Sequence, residues 1–170
     1  MSRWRPPATP ASKYITPQGY RHMNEELQFL WKTKRPEITR SVQEAAAQGD
    51  RSENAEYIYG KKMLREIDAR VRFLSRRLDD MVVVDRAPED TSKVYFGAYV
   101  ELEEEDGSRR VYRLVGPDES DGQKGWVSVD SPLARALLKK QVDDEVSVEV
   151  PSGLKHWCIS RIWYDYSETP

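Results

Sequence analysis

Three carboxylates are gathered in one short run, Ala46-Ala47-Gln48-Gly49-Asp50-Arg51-Ser52-Glu53-Asn54-Ala55-Glu56-Tyr57. Asp50, Glu53 and Glu56 stand where Gly49 interrupts one helical pattern and Asp50, Ser52 and Asn54 favour a turn or a new helix start. Two kinds of chemistry suit them. As helix-capping groups, Asp50 with Glu53 three residues on forms a capping-box-like pair, and Ser52 is a competing N-cap that would leave Glu53 and Glu56 in a first turn favoured by the helix dipole. As metal ligands, they offer the oxygen donors that Mg²⁺ prefers, and Mg²⁺ uses one or two protein carboxylates while keeping its waters. Spacing by itself leaves both readings open. A bend of this kind would hold an ion weakly alone and better if a partner supplied further ligands.

A second constellation follows directly. Lys61, Lys62, Arg65, Arg70, Arg72, Arg76 and Arg77 outnumber Glu66 and Asp68, and Arg65, Arg72 and Arg76 recur at helical spacing. Such a stripe is either a solvated helix face or a track for the phosphates of single-stranded nucleic acid, whose binding would weaken steeply with salt. With only Tyr57, Tyr59 and Phe73 interleaved, sequence-specific base reading is not expected. Elsewhere the residues support little chemistry. His22 and His156 belong to different predicted regions, and Cys158 is the only cysteine. No zinc pattern, phosphate loop, dinucleotide fingerprint or nucleophile elbow is present.

The elements that must carry these groups are readable from periodicity. Thr16-Pro17 is a helix start, with Thr16 as N-cap and Pro17 in the first helical position. Tyr20, Met23, Leu27 and Leu30 form an apolar stripe that Ile38, Val42 and Ala45 resume after a phase shift. Pro36 predicts a kink or break there, because proline lacks the amide proton and disfavours helix at Arg35. Tyr57, Gly60, Leu64, Ile67, Val71, Leu74, Leu78 and Met81 then alternate spacings of three and four. This is a coiled-coil seam on a helix over residues 53–81, about 43 Å long. A short connection makes the two helices antiparallel.

Near residue 85 the period changes to two. Val94–Leu102 and Arg109–Val115 read as a hairpin around an acidic turn, followed by strands at 126–129, 146–150 and 156–164. Ser131-Pro132 opens a short helix bearing Leu133, Ala134, Leu137 and Leu138. The expected class is α+β: residues 1–13 a flexible extension, 14–84 an antiparallel coiled-coil hairpin with an acidic tip at 49–56, and 85–170 a small, mostly antiparallel sheet with one helix.

Composition fits this division. One third of the 170 residues are charged and mean hydropathy is −0.78, too polar for a single compact core. Residues 1–81 carry 16 Lys/Arg against 11 Asp/Glu, a net +5, and residues 82–170 carry 11 against 18, a net −7, which suggests different partners for the two halves. No apolar run reaches the roughly 20 residues of a membrane span. No apolar segment follows Arg3 and Arg5 to make a secretory signal. One cysteine suits a reducing cytoplasm, so a cytoplasmic protein without membrane partners is expected.

The run Gly49–Tyr57 inside a helical hairpin resembles the tip of the bacterial Gre transcript-cleavage factors. Leu30-Trp31-Lys32 with Arg35-Pro36-Glu37, Lys61–Asp68, and Asp130–Lys140 are similar to the GreB branch in particular. The likeness spans about residues 13–165. It implies a C-terminal FKBP-like domain behind the coil, and a monomer that binds RNA polymerase at its secondary channel. By position, Asp50 and Glu53 match the acids that help hold a second Mg²⁺, shared with the polymerase, and its water. Glu56 and Tyr57 match neighbouring tip positions. Lys62, Arg65, Arg72 and Arg76 correspond to the face that guides the extruded 3′ end of the nascent RNA. Asp130, Ser131, Pro132, Leu133 and Arg135 correspond to the polymerase-docking part. The implied activity is stimulation of the polymerase's own cleavage of backtracked RNA, with the protein as a non-catalytic accessory factor. Two alternatives stand beside it: a channel ligand that modulates transcription without cleavage, and a prolyl isomerase suggested by fold analogy alone. The chain departs from the family pattern mainly in its longer N-terminus, Met1–Ser12.

Overall fold

The computed structural model describes residues 10–49 and 54–167. It divides into two compact units, Tyr20–Met81 on the one hand, and the chain up to Gly19 together with the chain from Val82 on the other. No helix among the described residues is long and apolar enough to cross a membrane.

The helical unit is the expected hairpin. Helix α1 covers Pro17–Phe29, a π-helical turn covers Leu30–Lys34, α2 covers Arg35–Ala47 and α3 covers Ala55–Asp80. The disturbance expected around Arg35-Pro36 takes the form of that π turn, without a break. Arg35 donates its amide to the Leu30 carbonyl, five residues back. A regular helix would press the Pro36 ring against the carbonyl four residues earlier, and the wider turn relieves this. The apolar stripe then faces inward as its spacing requires: Met23, Leu30, Val42 and Ala45 are buried, as are Gly60, Ile67, Leu74 and Leu78. Two ion pairs fasten the helices, Arg35 Nε to Asp68 Oδ1 and Arg70 Nε to Glu26 Oε1, both at 2.7 Å.

Gly60 of α3 packs tightly against Val42 of α2. A Cβ there would lie 2.5 Å from Val42 Cγ2. Alanine normally gains about 1 kcal/mol over glycine inside a helix, but the stiff β-branched Val42 has little room to turn away. Gly60→Ala should therefore lower the melting temperature of the coil, whereas the same change in a Val42→Ala background should raise it. Circular dichroism melts of the four combinations check this, and equal effects in both backgrounds would contradict it.

The second unit holds a five-stranded sheet in the order β5-β4-β3-β7-β6, formed by β3 (Tyr99–Glu103), β4 (Arg109–Val115), β5 (Trp126–Ser128), β6 (Glu145–Val150) and β7 (Gly153–Trp163). All pairings are antiparallel except β4 with β5. Alternate residues Val100 and Leu102, Val146 and Val148, and Trp157 and Ile159 join Leu114 and, from helix α4 (Pro132–Leu137), Ala134 and Leu137 in one apolar core. The fold class is thus α+β, as read from the sequence.

The structure also corrects several boundaries. Val94–Leu102 was expected to be one strand, but only Tyr99–Glu103 pairs. Gly97 has φ +84°, and the Tyr95 amide donates to the Tyr164 hydroxyl, which itself donates to the Lys93 carbonyl. These bonds satisfy the backbone of the segment outside a ladder. Residues 14–19 were expected in the coil, yet they pack with the sheet unit. Tyr14–Ile15 (β1) pairs in parallel with Val82–Val83 (β2), and Ile15 is fully buried. Nor is all of the expected extension loose: Ser12 donates its amide to Asp130 Oδ2 at 2.8 Å, and the Lys13 carbonyl accepts from Val82 at 2.9 Å. Residues 1–9 lie outside the described residues.

Candidate functional site

The hairpin end is built by residues on either side of the bend. Helix α2 stops at Ala47, and Gln48 closes it by donating to the Ala45 carbonyl. Helix α3 starts at Asn54, whose Oδ1 accepts the Tyr57 amide at 3.1 Å while its Nδ2 donates to the Ala45 carbonyl at 2.7 Å. One side chain therefore caps the second helix and ties it to the end of the first. The expectation that Asp50 or Ser52 starts this helix is thereby corrected, and the helix runs over 55–80 rather than 53–81. An asparagine amide carries both donor and acceptor, so it can serve two backbones at once, as an ionised carboxylate, which only accepts, could not.

Asp50 and Glu53 lie outside the described residues, in the four-residue span 50–53. Glu56 is described: it is exposed in the first turn of α3, where the helix dipole favours its charge. Among the described residues, no group of three or more His, Cys, Asp or Glu could hold a metal ion. Carboxylates as a residue type offer only oxygen donors, the kind that Mg²⁺ takes. Ile58 and Tyr59, immediately beyond, are exposed at 51% and 64%.

Along α3, Lys62, Arg65, Arg72 and Arg76 are all exposed. Lys62 lies 4.0 Å from Glu66 on the next turn, a separation at which an exposed pair contributes little. Among the described residues, Arg65, Arg72 and Arg76 have no carboxylate partner. Arg70 differs, because its guanidinium is engaged with Glu26 and, mainly through that hydrogen bond, holds the Glu26 carboxyl below its usual range. The stripe thus contains cations free to meet phosphate and cations committed to the hairpin. Periodicity alone does not separate the two. Phe73, 46% exposed and off the seam, also lies here. Its place between the seam residues Val71 and Leu74 was the signal that could have marked it.

The docking candidates lie in the sheet unit. Ser131 caps α4 by accepting the Ala134 amide at 3.2 Å, Pro132 and Arg135 are exposed, and Leu133 is half-buried. Asp130 stands apart from them, since its carboxylate holds the Ser12 amide. Across the sheet, a row that sequence reading missed joins Trp126, Arg113, Tyr99 and Trp163 at paired positions of β5, β4, β3 and β7. Arg113 is 2% exposed and its guanidinium lies 4.8 Å from the Tyr99 ring and 5.2 Å from that of Trp126. Such cation–π contacts let an arginine be buried among aromatic faces, and only the strand register brings these residues together. Cys158 is half-buried, and burial followed by the nearby Asp143 and Glu145 carboxylates pushes its thiol pKa up. That is the opposite of what an activated nucleophile requires.

Comparison with known proteins agrees with both units. The family model described as transcription elongation factor, N-terminal, matches residues 13–83, and that described as transcription elongation factor, GreA/GreB, C-term, matches 89–164. Transcription elongation factor GreB of Pseudomonas aeruginosa is 57% identical over 96% of this chain and 98% of its own. GreB of Xanthomonas axonopodis pv. citri is 58% identical, again over 96% and 98%. Among solved structures, the GreA factor homolog 1 (Gfh1) protein of Thermus thermophilus is 25% identical over 88% of this chain and 97% of its own, with a TM-score of 0.40. With both of its units matched and relatives of this identity covering nearly its full length, the chain belongs to the GreA/GreB family of transcription elongation factors.

Proposed function

We propose that this elongation factor binds RNA polymerase at its secondary channel and stimulates the polymerase's own cleavage of backtracked RNA. The observation that carries the reading is the hairpin end. Asn54 caps α3 and ties it to the end of α2, so the helix start is supplied by a residue other than the acids Asp50 and Glu53 that precede it in the sequence. Their carboxylates would hold Mg²⁺ at the polymerase active site, with Glu56 as a lesser contributor. A divalent ion so placed lowers the pKa of bound water and offsets charge on the phosphodiester. The chain itself performs no bond cleavage in this reading. It delivers two carboxylates that precede, in the sequence, the cap of a helix about 39 Å long, α3.

Lys62, Arg65, Arg72 and Arg76 hold the phosphates of the extruded RNA 3′ end. Ser131, Pro132, Leu133 and Arg135 present the docking surface, and Asp130 supports it through its bond to Ser12. Gel analysis of RNA from an arrested elongation complex, with and without the protein, tests the whole. Shortened transcripts that resume extension are expected. Unchanged transcripts from a complex that binds the protein would leave a modulator without cleavage activity.

The basic face makes a separate prediction. Arg65→Glu with Arg72→Glu should reduce cleavage of long extruded RNA roughly ten-fold, with a shallower dependence on salt, because phosphate contacts are lost. Release of dinucleotides should fall much less. Equal loss on both lengths would assign these residues to docking instead.

A further inference from the structure

Phe73 adds an aromatic ring beside Arg72 and Arg76 of the phosphate track. Its ring is exposed on the outer side of α3, and the Arg70 guanidinium sits 5.3 Å from its centroid. That guanidinium is immobilised by Glu26, at 2.7 Å from Nε and 3.0 Å from Nη2. Beside the ring runs a shallow groove of about 390 Å³, lined by Ala69, Arg72, Phe73, Arg76, Arg77 and Asp80. Arg70 is not part of this lining. The floor is small and apolar at Ala69, the wall is an aromatic ring, and Arg72 and Arg76 stand about 6 Å apart along the helix axis. The volume lies at the lower end of the range for small-ligand sites.

From this geometry we propose that the groove is a subsite for one nucleotide of single-stranded RNA, with Phe73 as the stacking platform for its base and Arg72 and Arg76 as partners of the flanking phosphates. The proposal rests on the RNA path along α3 set out above and adds to it a contact with a base. Charge complementarity selects the ligand. The lining carries three arginines, Arg72, Arg76 and Arg77, against one carboxylate, Asp80, and a ring in such a setting suits a π-faced group joined to anions. Stacking of this kind tolerates any base, in keeping with a factor that must act wherever the polymerase stalls.

Full-length protein and short labelled single-stranded oligoadenylate, followed by fluorescence anisotropy at low salt, provide the test, with inorganic polyphosphate as a base-free competitor. Phe73→Ala and Phe73→Leu should each weaken oligoadenylate binding roughly 5- to 100-fold, the cost of one lost stack. Phe73→Trp should preserve or tighten it, and all three variants should bind polyphosphate as the wild type does. Arg65→Glu with Arg72→Glu should weaken both ligands. If the Ala and Leu variants bind oligoadenylate like the wild type while the double Glu variant does not, the RNA path stands and the stacking site falls. If the double Glu variant also binds normally, the RNA path itself is wrong. Unchanged RNA binding with weaker association of Phe73→Ala to polymerase would make the groove a protein contact and overturn the proposal.

Discussion

Replacing both Asp50 and Glu53 by alanine is expected to abolish stimulated RNA cleavage, by a factor on the order of 100 or more, while polymerase binding survives. The size follows from the role proposed for the pair. Charge stabilisation by a catalytic divalent ion amounts to several kcal/mol, and about 1.4 kcal/mol is a factor of ten. The double substitution removes the oxygen donors brought by this chain. Helix α3 should be unaffected, because its cap is Asn54, whose side chain serves Tyr57 and Ala45. Asp50→Asn with Glu53→Gln preserves shape and removes charge, so it should lose nearly as much activity. Raising the Mg²⁺ concentration should restore part of that loss. Glu56→Ala should have the smallest effect of the three acids, since that carboxylate sits in the first turn of α3. Cleavage assays on arrested complexes, with a competition assay for polymerase binding, measure each quantity. Undiminished cleavage by the double variant would remove the tip from the mechanism.

Glu119→Ala should produce the largest stability loss outside the apolar core. Thr16 is fully buried, and Glu119 satisfies both of its donors: the amide gives a bond of 2.8 Å to Oε2, and the hydroxyl donates to Oε1. The same Oε2 accepts the Gly116 amide at 2.9 Å, and the Thr16 hydroxyl oxygen accepts the Gly19 amide at 3.1 Å, so that one carboxylate organises the start of α1. Gly19 and Gly116 are required by this packing. A Cβ on Gly19 would collide with the Glu119 carboxylate, and one on Gly116 with the Tyr14 carbonyl. Alanine at 119 would leave three donors seeking partners, two on Thr16 and one on Gly116, both buried residues. Each buried donor left unsatisfied costs about 1–3 kcal/mol. A net loss of about 2–4 kcal/mol is expected, allowing for water reaching the half-buried end. Urea unfolding followed by tryptophan fluorescence should show the midpoint falling with little change in slope. Glu119→Gln should recover part of the loss, because its amide oxygen can still accept. A midpoint within experimental error of the wild type would show that these bonds contribute nothing net.

The same network shows where local reading ends. Thr16-Pro17 announced a helix start correctly, because an N-cap is a matter of four consecutive residues. That Glu119, 103 positions later, would complete the cap could not be read in that way, since nothing in either segment refers to the other. Asn54 makes the same point at the tip. Asp50, Ser52 and Asn54 are all good caps by type, and the choice fell on the one whose amide could also reach Ala45 across the bend.

What the sequence determined by itself was periodic or local. The seam from Tyr57 to Met81 specifies a coil because every third or fourth side chain must leave water together. Alternation in 146–150 specifies a strand for the same reason at period two, and Ser131-Pro132 sets the start of α4. The acids of the tip were legible too, as residue types at a bend. Only the tertiary structure decided which distant groups meet. It moved residues 14–19 from the coil to the sheet unit through the β1–β2 pair, and it brought Arg113 between Tyr99 and Trp126 through strand register. It also separated Arg70, bound to Glu26, from Arg65, Arg72 and Arg76, which have no carboxylate partner among the described residues. The physical reason is common to all three. Burial periodicity is imposed on each segment by water, whereas hydrogen bonds, ion pairs and ring contacts between distant segments depend on where the packed backbone places their atoms.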